Sequence, residues 1–397
     1  MAARSNRVGG TISNVKEGFD KHTLEQIAGI DFTNGNMAKL LYKGRDAFDA
    51  IFNTVHNAKE YVCIEFYIFR DDETGIEFGN LLKQKARQGV KIYLLYDHFG
   101  SLLTSESFWS ELREAGVQLR ASRTFKWQTP LQYLIRDHKK LIIVDGIKAF
   151  TGGLNIANEY RGYKFRKTRI RGWRDTGVLI EGPVVSVLLD IFNKSWKRWG
   201  GEPLQWQRRG EVFSDGVLII PIFAASSKGR KRMRKLLYYC INSSKRSIYF
   251  TTAYFVPSRM MLKSLEDAVK CGVNVKLLVP GKSDVLAAYY AGRAFFTRLL
   301  KAGVEIYYYQ GEILHAKTAV FDCCFSIVGS ANLDFQSLRR NDEGNVGILD
   351  EGFGRLMEQV FFEDLKHSER IDIEKWVKRP FWEKAIEHFF SIFRRRL

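Results

Sequence analysis

The sequence is short of acid. Its 397 residues hold 62 lysines and arginines against 44 aspartates and glutamates, a net charge of +18. That surplus of base favours polyanionic partners, nucleic acid or an anionic lipid surface, and does not choose between them. Cysteine is scarce too. The five present (Cys63, Cys240, Cys271, Cys323, Cys324) form no C-x-x-C pair and no cysteine–histidine cluster with zinc spacing, so no metal site is expected from them. Most lie in apolar stretches, as reduced structural thiols of a cytoplasmic protein would. Long apolar runs are also missing. The N-terminus has no apolar core of signal-peptide length, and nothing approaches the ~20 apolar residues of a membrane span. The nearest run, Val184 to Leu189, meets Asp190, Asn193 and Lys194. Contact with a membrane is therefore expected from outside.

What the chain does have is a repeat. Residues 136–155 read RDHKKLIIVDGIKAFTGGLN, and residues 314–332 read LHAKTAVFDCCFSIVGSAN. Both obey H-x-K-x4-D-x6-G-[GS]-x-N. Their flanks match: VCIEFYIF (62–69), a helical stretch, GVKIYLLYD (89–97), a second helix and EAGVQLR (114–120) precede the first motif. SIYFTTAYF (247–255), GVNVKLLVPG (272–281) and KAGVEIY (301–307) take the same places before the second. Alternating apolar strands and helices predict an α/β fold of two repeated units, each with a buried, mostly parallel sheet, facing each other across one cleft. The units are set at 36–205 and 206–365, after an N-terminal extension (1–35) and before a tail (366–397), with a polar, glycine-containing linker around 200–215.

On a strand, His138 and Lys140 point to one face, as do His315 and Lys317. A histidine beside a fixed ammonium suits an anionic phosphate oxygen. Gly152-Gly153 and Gly329-Ser330 allow close backbone approach and deliver Asn155 and Asn332 as amide donors to phosphate. Asp145 and Asp322, seven residues from their histidines, face the other way and read as supports for the motif. Two histidines suffice for displacement at a phosphodiester without a metal. One attacks phosphorus, while the other protonates the leaving alkoxide and then deprotonates the incoming alcohol. Lysines and asparagines hold the oxygens where charge develops.

The paired pattern resembles the signature of the phospholipase D superfamily. The text around it is similar to bacterial cardiolipin synthases in IEFYIFRDDETG (64–75), LLYDHFGS (94–101), GGLNIANEY (152–160), WRDTGVLIEGP (173–183), AYFVPS (253–258) and GSANLDFQSLRRNDEGN (329–345). The resemblance implies two α/β halves around one active site and no cofactor. It also implies transfer of a phosphatidyl group from one phosphatidylglycerol to another with release of glycerol, phosphatidylethanolamine being a further candidate donor. Asp175 and Glu343 become candidates to orient the histidines, and His138 becomes the nucleophile by the usual order of roles. The common N-terminal pair of membrane spans is not seen, which implies a short, peripheral form on the cytoplasmic side of the membrane.

Two features suit an anionic lipid surface. Residues 161–174, RGYKFRKTRIRGWR, carry seven basic residues and no acid, each worth about 1 kcal/mol near an anionic leaflet. In the tail from Pro380, Trp382, Ala385, Ile386, Phe389, Phe390, Phe393 and Leu397 share one helical face opposite Glu383, Lys384, Glu387, His388 and Ser391, before a triple arginine. That pattern reads as an in-plane interfacial helix or as one docked on the protein. A phospholipase D hydrolase and a metal-independent nuclease would share the motif set, although nucleic acid is not the expected partner. A non-catalytic membrane scaffold would tolerate degenerate motifs, and both are complete.

Overall fold

The computed structural model describes residues 19–125, 127, 133, 135–162, 172–205 and 210–394. Its first half contributes strands β1 (Thr33–Leu41), β2 (Tyr61–Phe66), β3 (Lys91–Asp97), β4 (Gln118–Ser122), β5 (Lys140–Val144), β6 (Lys148–Gly152) and β7 (Gly177–Glu181). The second contributes β8 (Val217–Ala224), β9 (Ser247–Thr251), β10 (Asn274–Pro280), β11 (Glu305–Tyr309), β12 (Thr318–Phe321), β13 (Phe325–Gly329) and β14 (Glu343–Leu349), with β15 (Ser368–Arg370) added at the edge. Hydrogen bonding joins them in the order β15-β11-β10-β9-β12-β13-β14-β8-β1-β7-β6-β5-β2-β3-β4. Read outward from the β1–β8 seam, the two halves have the same order, so the sequence repeat is a structural repeat.

The α/β class and the duplication stand as expected. The sheet is not mostly parallel, however. Only β2–β3, β3–β4, β9–β10 and β10–β11 pair in parallel, and all other neighbours are antiparallel. The parallel strands are the strand–helix–strand portions, whose crossovers demand that direction. The motif strands instead turn back at once. After β5 the chain reverses at Asp145-Gly146 and after β12 at Asp322-Cys323, each residue with φ between +52° and +67°. Two successive left-handed residues make the tight turn whose twist matches a hairpin.

Helices cover both faces. Asp72, Ser105, Ser226, Ser258 and Asp350 cap five of them, their side-chain oxygens accepting the N–H three residues on. The apolar run 184–189 opens the helix Val184–Arg198, which buries Val185, Leu188, Leu189, Phe192 and Trp196 against Cys63, Leu141 and Ile143 of the sheet. At about 1.5–3 kcal/mol per fully buried large side chain, that contact explains the run without a membrane. No helix among the described residues is long and apolar enough to cross a bilayer.

Both chain ends join the second half, the tail helix in the docked arrangement that its pattern had left open. Phe19, Leu24 and Phe32, placed by sequence in an extension, lie in the core of the second half, where Phe19 meets Phe321 and Phe325. The tail from 366 is folded onto the same half. β15 extends the sheet beside β11, Trp376 is buried against Phe296, and the helix Phe381–Ile392 lies on the helix Leu286–Arg293.

Candidate active site

His138 and His315 sit just ahead of β5 and β12 rather than within them. At these points each chain segment leaves its own half and hydrogen-bonds to the other. The His138 N–H donates to the carbonyl of Asp342 (2.8 Å), and the His315 N–H donates to the carbonyl of Arg174 (2.8 Å). The next residue along each partner segment is a carboxylate. His315 Nδ1 lies 2.6 Å from Asp175 Oδ2, and His138 Nδ1 lies 2.9 Å from Glu343 Oε2. Each histidine thus faces a carboxylate from the opposite half. With Nδ1 paired to the carboxylate, Nε2 is the ring nitrogen left outside that contact.

The small residues of the motif make room for these carboxylates. A Cβ on Gly153 would stand 2.1 Å from Asp175 Oδ1. At the equivalent place Ser330 is tolerated because its hydroxyl donates to Glu343 Oε2. Lys140 and Lys317 are fully covered, and each donates to the carbonyl of its own histidine. Asn155 accepts from the N–H of Ile68 (3.1 Å) and donates to the Tyr160 hydroxyl (2.8 Å), while Asn332 accepts from the N–H of Tyr254 (3.3 Å).

Asp145 and Asp322 stand at the far ends of their strands, on the order of 20 Å of extended chain from the histidines. Each carboxylate accepts three consecutive backbone N–H groups: Lys59, Glu60 and Tyr61 for Asp145 (2.8, 2.8 and 2.9 Å), and Lys245, Arg246 and Ser247 for Asp322 (2.8, 2.7 and 2.8 Å). They fasten the hairpin to the entry of the first parallel strand. Nothing in their geometry reaches a reacting atom.

Aromatic rings that sequence reasoning missed frame the histidines. Tyr67 stands edge-on to His138 at 4.9 Å; Tyr160 and Trp173 meet His315 at 5.3 and 5.1 Å, with Tyr254 behind at 6.5 Å. The signal was present, since Tyr67 and Tyr254 both lie in the few residues after the first parallel strand of their repeat. Of the basic stretch 161–174, residues 163–171 lie outside the described ones.

Burial governs the electrostatics. It holds the His138 imidazole well below its usual range, helped by Lys140 and Lys317, and brings His315 down to about 4 with help from Lys317. It lowers Lys140 to about 7 and Lys317 to about 8, and lifts Glu343 to about 8 against the pull of Lys140. Burial therefore favours the neutral forms of these groups. A phosphodiester anion entering between the lysines would reverse that preference by favouring their charged forms.

Residues 51–196 and 237–365 match the family described as cardiolipin synthase, PLD-like domain. The chain belongs to that family. It is 34% identical over 341 residues to cardiolipin synthase A of Pseudomonas putida, covering 85% of this chain and 70% of that protein. It is 36% identical over 354 residues to a cardiolipin synthase of Geobacillus kaustophilus, covering 88% and 70%. The fold is also that of a phosphatidylserine synthase of Haemophilus influenzae, at TM-score 0.73 and 13% identity over 96% of this chain and all of the other. A polyphosphate kinase of Porphyromonas gingivalis is similar at TM-score 0.56 and 12% identity, over 91% of this chain and 53% of that one.

Within this family frame the two halves differ in one respect. Behind His138 the alternate residues are Asp137 and Lys139, whereas behind His315 they are Leu314 and Ala316. Lys139 is enclosed by Glu65, Asp137 and Ser195, and the neighbouring Asp342 by Arg123 and Arg230. The segment carrying His138 is thus backed by a buried charge network, and the one carrying His315 by apolar packing.

Proposed function

We propose that the protein makes cardiolipin by transferring a phosphatidyl group between two phosphatidylglycerols through a covalent histidine intermediate. The observation that carries the reading is the crosswise pairing of His138 with Glu343 and His315 with Asp175, in a chain of the cardiolipin synthase family. The entering phosphodiester anion favours the charged form of His315, which takes a proton from solvent. Neutral His138 then attacks phosphorus through Nε2, and the P–O bond to glycerol breaks as the His315 imidazolium gives that proton to the departing oxygen. Glycerol leaves, and His315, now neutral, takes the proton of the second lipid's hydroxyl. That oxygen attacks phosphorus, the P–N bond breaks and His138 returns. Lys140 and Lys317 hold the non-bridging oxygens. Asp175 keeps the imidazolium of His315 oriented, while Glu343, held largely neutral, leaves His138 as an uncharged nucleophile.

The working surface is a membrane, taken to be met from the cytoplasmic side, and the tail supports the contact with lipid. The helix Phe381–Ile392 turns Glu383, Glu387 and Ser391 inward together with Phe390, which stacks on Tyr290, and leaves Lys384 and His388 exposed. Arg293 donates to Glu383 and Glu387, Arg379 donates to Glu387, and Glu387 is only 2% exposed. Phe381, Trp382, Phe389, Ile392 and Phe393 face outward. An amphipathic helix docked by its polar side presents an apolar band to lipid.

Lipid mass spectrometry tests the reaction. Purified protein incubated with phosphatidylglycerol should yield cardiolipin and glycerol in equal amounts, and phosphatidylethanolamine added beside it tests the second donor. Phosphatidic acid as the sole product would make the enzyme a hydrolase.

A further inference from the structure

A second concave site lies outside the catalytic cleft. It is a cavity of about 540 Å³ between the helices Ser227–Ser243, Arg259–Lys270 and Phe335–Arg339. None of the motif histidines or lysines lines it. Four arginines do: Arg234, Arg259, Arg339 and, from the end of the tail, Arg394.

Of these, Arg234 and Arg394 are half-buried and Arg259 and Arg339 are exposed. Arg123, Arg174, Arg293 and Arg379 each face a carboxylate at 2.5–2.9 Å. Among the described residues, none of the cavity's four has an ion-pair partner. Arg234 donates to the carbonyl of Leu338 (2.6 Å), Arg339 lies over Phe335, and Arg394 lies over Phe295. The one acid in the wall, Asp334, is spent capping the helix at Ser337 and is pushed up to about 7 by burial. Burial and the nearby Arg339 also depress Arg234, so the like charges feel one another. Converging guanidinium groups without counterions are the arrangement that recognises phosphate.

The walls say more about the ligand. Phe335, Leu338 and Val256 give the cavity an apolar side. Arg394 follows directly on the exposed Phe389, Ile392 and Phe393. The cavity is also tied to the catalytic loop, because the N–H of Val256 donates to Leu333 beside Asn332.

We propose that this cavity binds a phosphate-bearing anion, its arginines taking the phosphate and its apolar side the glycerol backbone of a phospholipid where the phosphate belongs to one. The site stands apart from the transfer reaction and does not depend on its assignment. The test is calorimetric titration of the full chain carrying His315→Ala, which stops turnover, with inorganic phosphate alone and with short-chain phosphatidylglycerol below its micellar concentration. Arg259→Gln with Arg339→Gln should remove one of two binding events, or weaken it at least tenfold. Lys91→Gln with Lys301→Gln, which removes the same charge from exposed lysines elsewhere, should leave both events intact. Loss with both ligands identifies a site for phosphate in any form, and loss with the lipid alone identifies a headgroup site. Equal thermal midpoints for the variants establish that each is folded. Stoichiometry and affinity in the arginine variant that match the parent, or that fall only as far as in the lysine control, would overturn the proposal.

Discussion

Replacing Asp175 with asparagine removes a charge from the acceptor of His315 while leaving an oxygen that can still receive its Nδ1–H. The contact is 2.6 Å long and Asp175 is 1% exposed, so solvent cannot substitute for it. A hydrogen bond to a charged group contributes about 1.5–3 kcal/mol net. Because ~1.4 kcal/mol is a factor of ten in rate, turnover of phosphatidylglycerol should fall roughly 10- to 150-fold. The loss should depend on the leaving group, since His315 acts first as an acid. With a phosphatidyl ester of para-nitrophenol, whose phenolate departs unaided, the burst of nitrophenol should stay within about threefold of the parent, equivalent to under ~1 kcal/mol. Glu343→Gln acts on the nucleophile instead. Glu343 is raised to about 8, so at pH 7 the change mostly exchanges one neutral acceptor for another, and the loss should be about two- to fivefold with either donor. The assay is rapid-quench kinetics on both donors. An Asp175→Asn burst that falls as far as glycerol release would refute the assignment of His315 as the acid.

Asp145→Ala and Asp322→Ala should each cost about 2–4 kcal/mol of stability in denaturant melts, three charge-assisted bonds being lost, with little change in turnover per folded molecule. Phe389→Ser with Ile392→Ser should weaken binding to phosphatidylglycerol vesicles tenfold or more and leave turnover of a detergent-dispersed donor intact, because the Glu387–Arg293 docking is untouched; unchanged vesicle binding would remove the lipid-facing role. The pH dependence follows from the lysines. Charged lysine binds phosphate, so kcat/KM should fall as pH rises past about 7 to 8, where free-enzyme Lys140 and Lys317 lose their protons. The fall should appear in KM first, since bound phosphate holds the lysines charged.

The duplication, both motifs and the placing of Asp145 and Asp322 away from the histidines were legible because they rest on spacing within one segment. The hairpins were legible too, and went unread. Asp145-Gly146 is a turn dipeptide, and reading it would have made β5 and β6 antiparallel. The crosswise pairing was hidden for a physical reason. Side-chain alternation fixes which face His138 occupies, but the carboxylate it meets is 205 residues away and arrives through packing of the other half. The tail shows the same limit. Its amphipathic pattern was visible, while the direction of its apolar band was decided by Arg293, 94 residues distant from Glu387. The core positions of Phe19 and Leu24 likewise depend on a surface made by the second half.

The account rests on a covalent intermediate at one particular histidine, and intact-protein mass spectrometry tests that directly. After exposure to the para-nitrophenyl donor, His315→Ala protein should carry one phosphatidyl group that persists, because no base activates the acceptor. His138→Ala protein should carry none. An adduct on His138→Ala and none on His315→Ala would reverse the roles, and none on either folded variant would contradict a covalent mechanism in favour of direct in-line transfer.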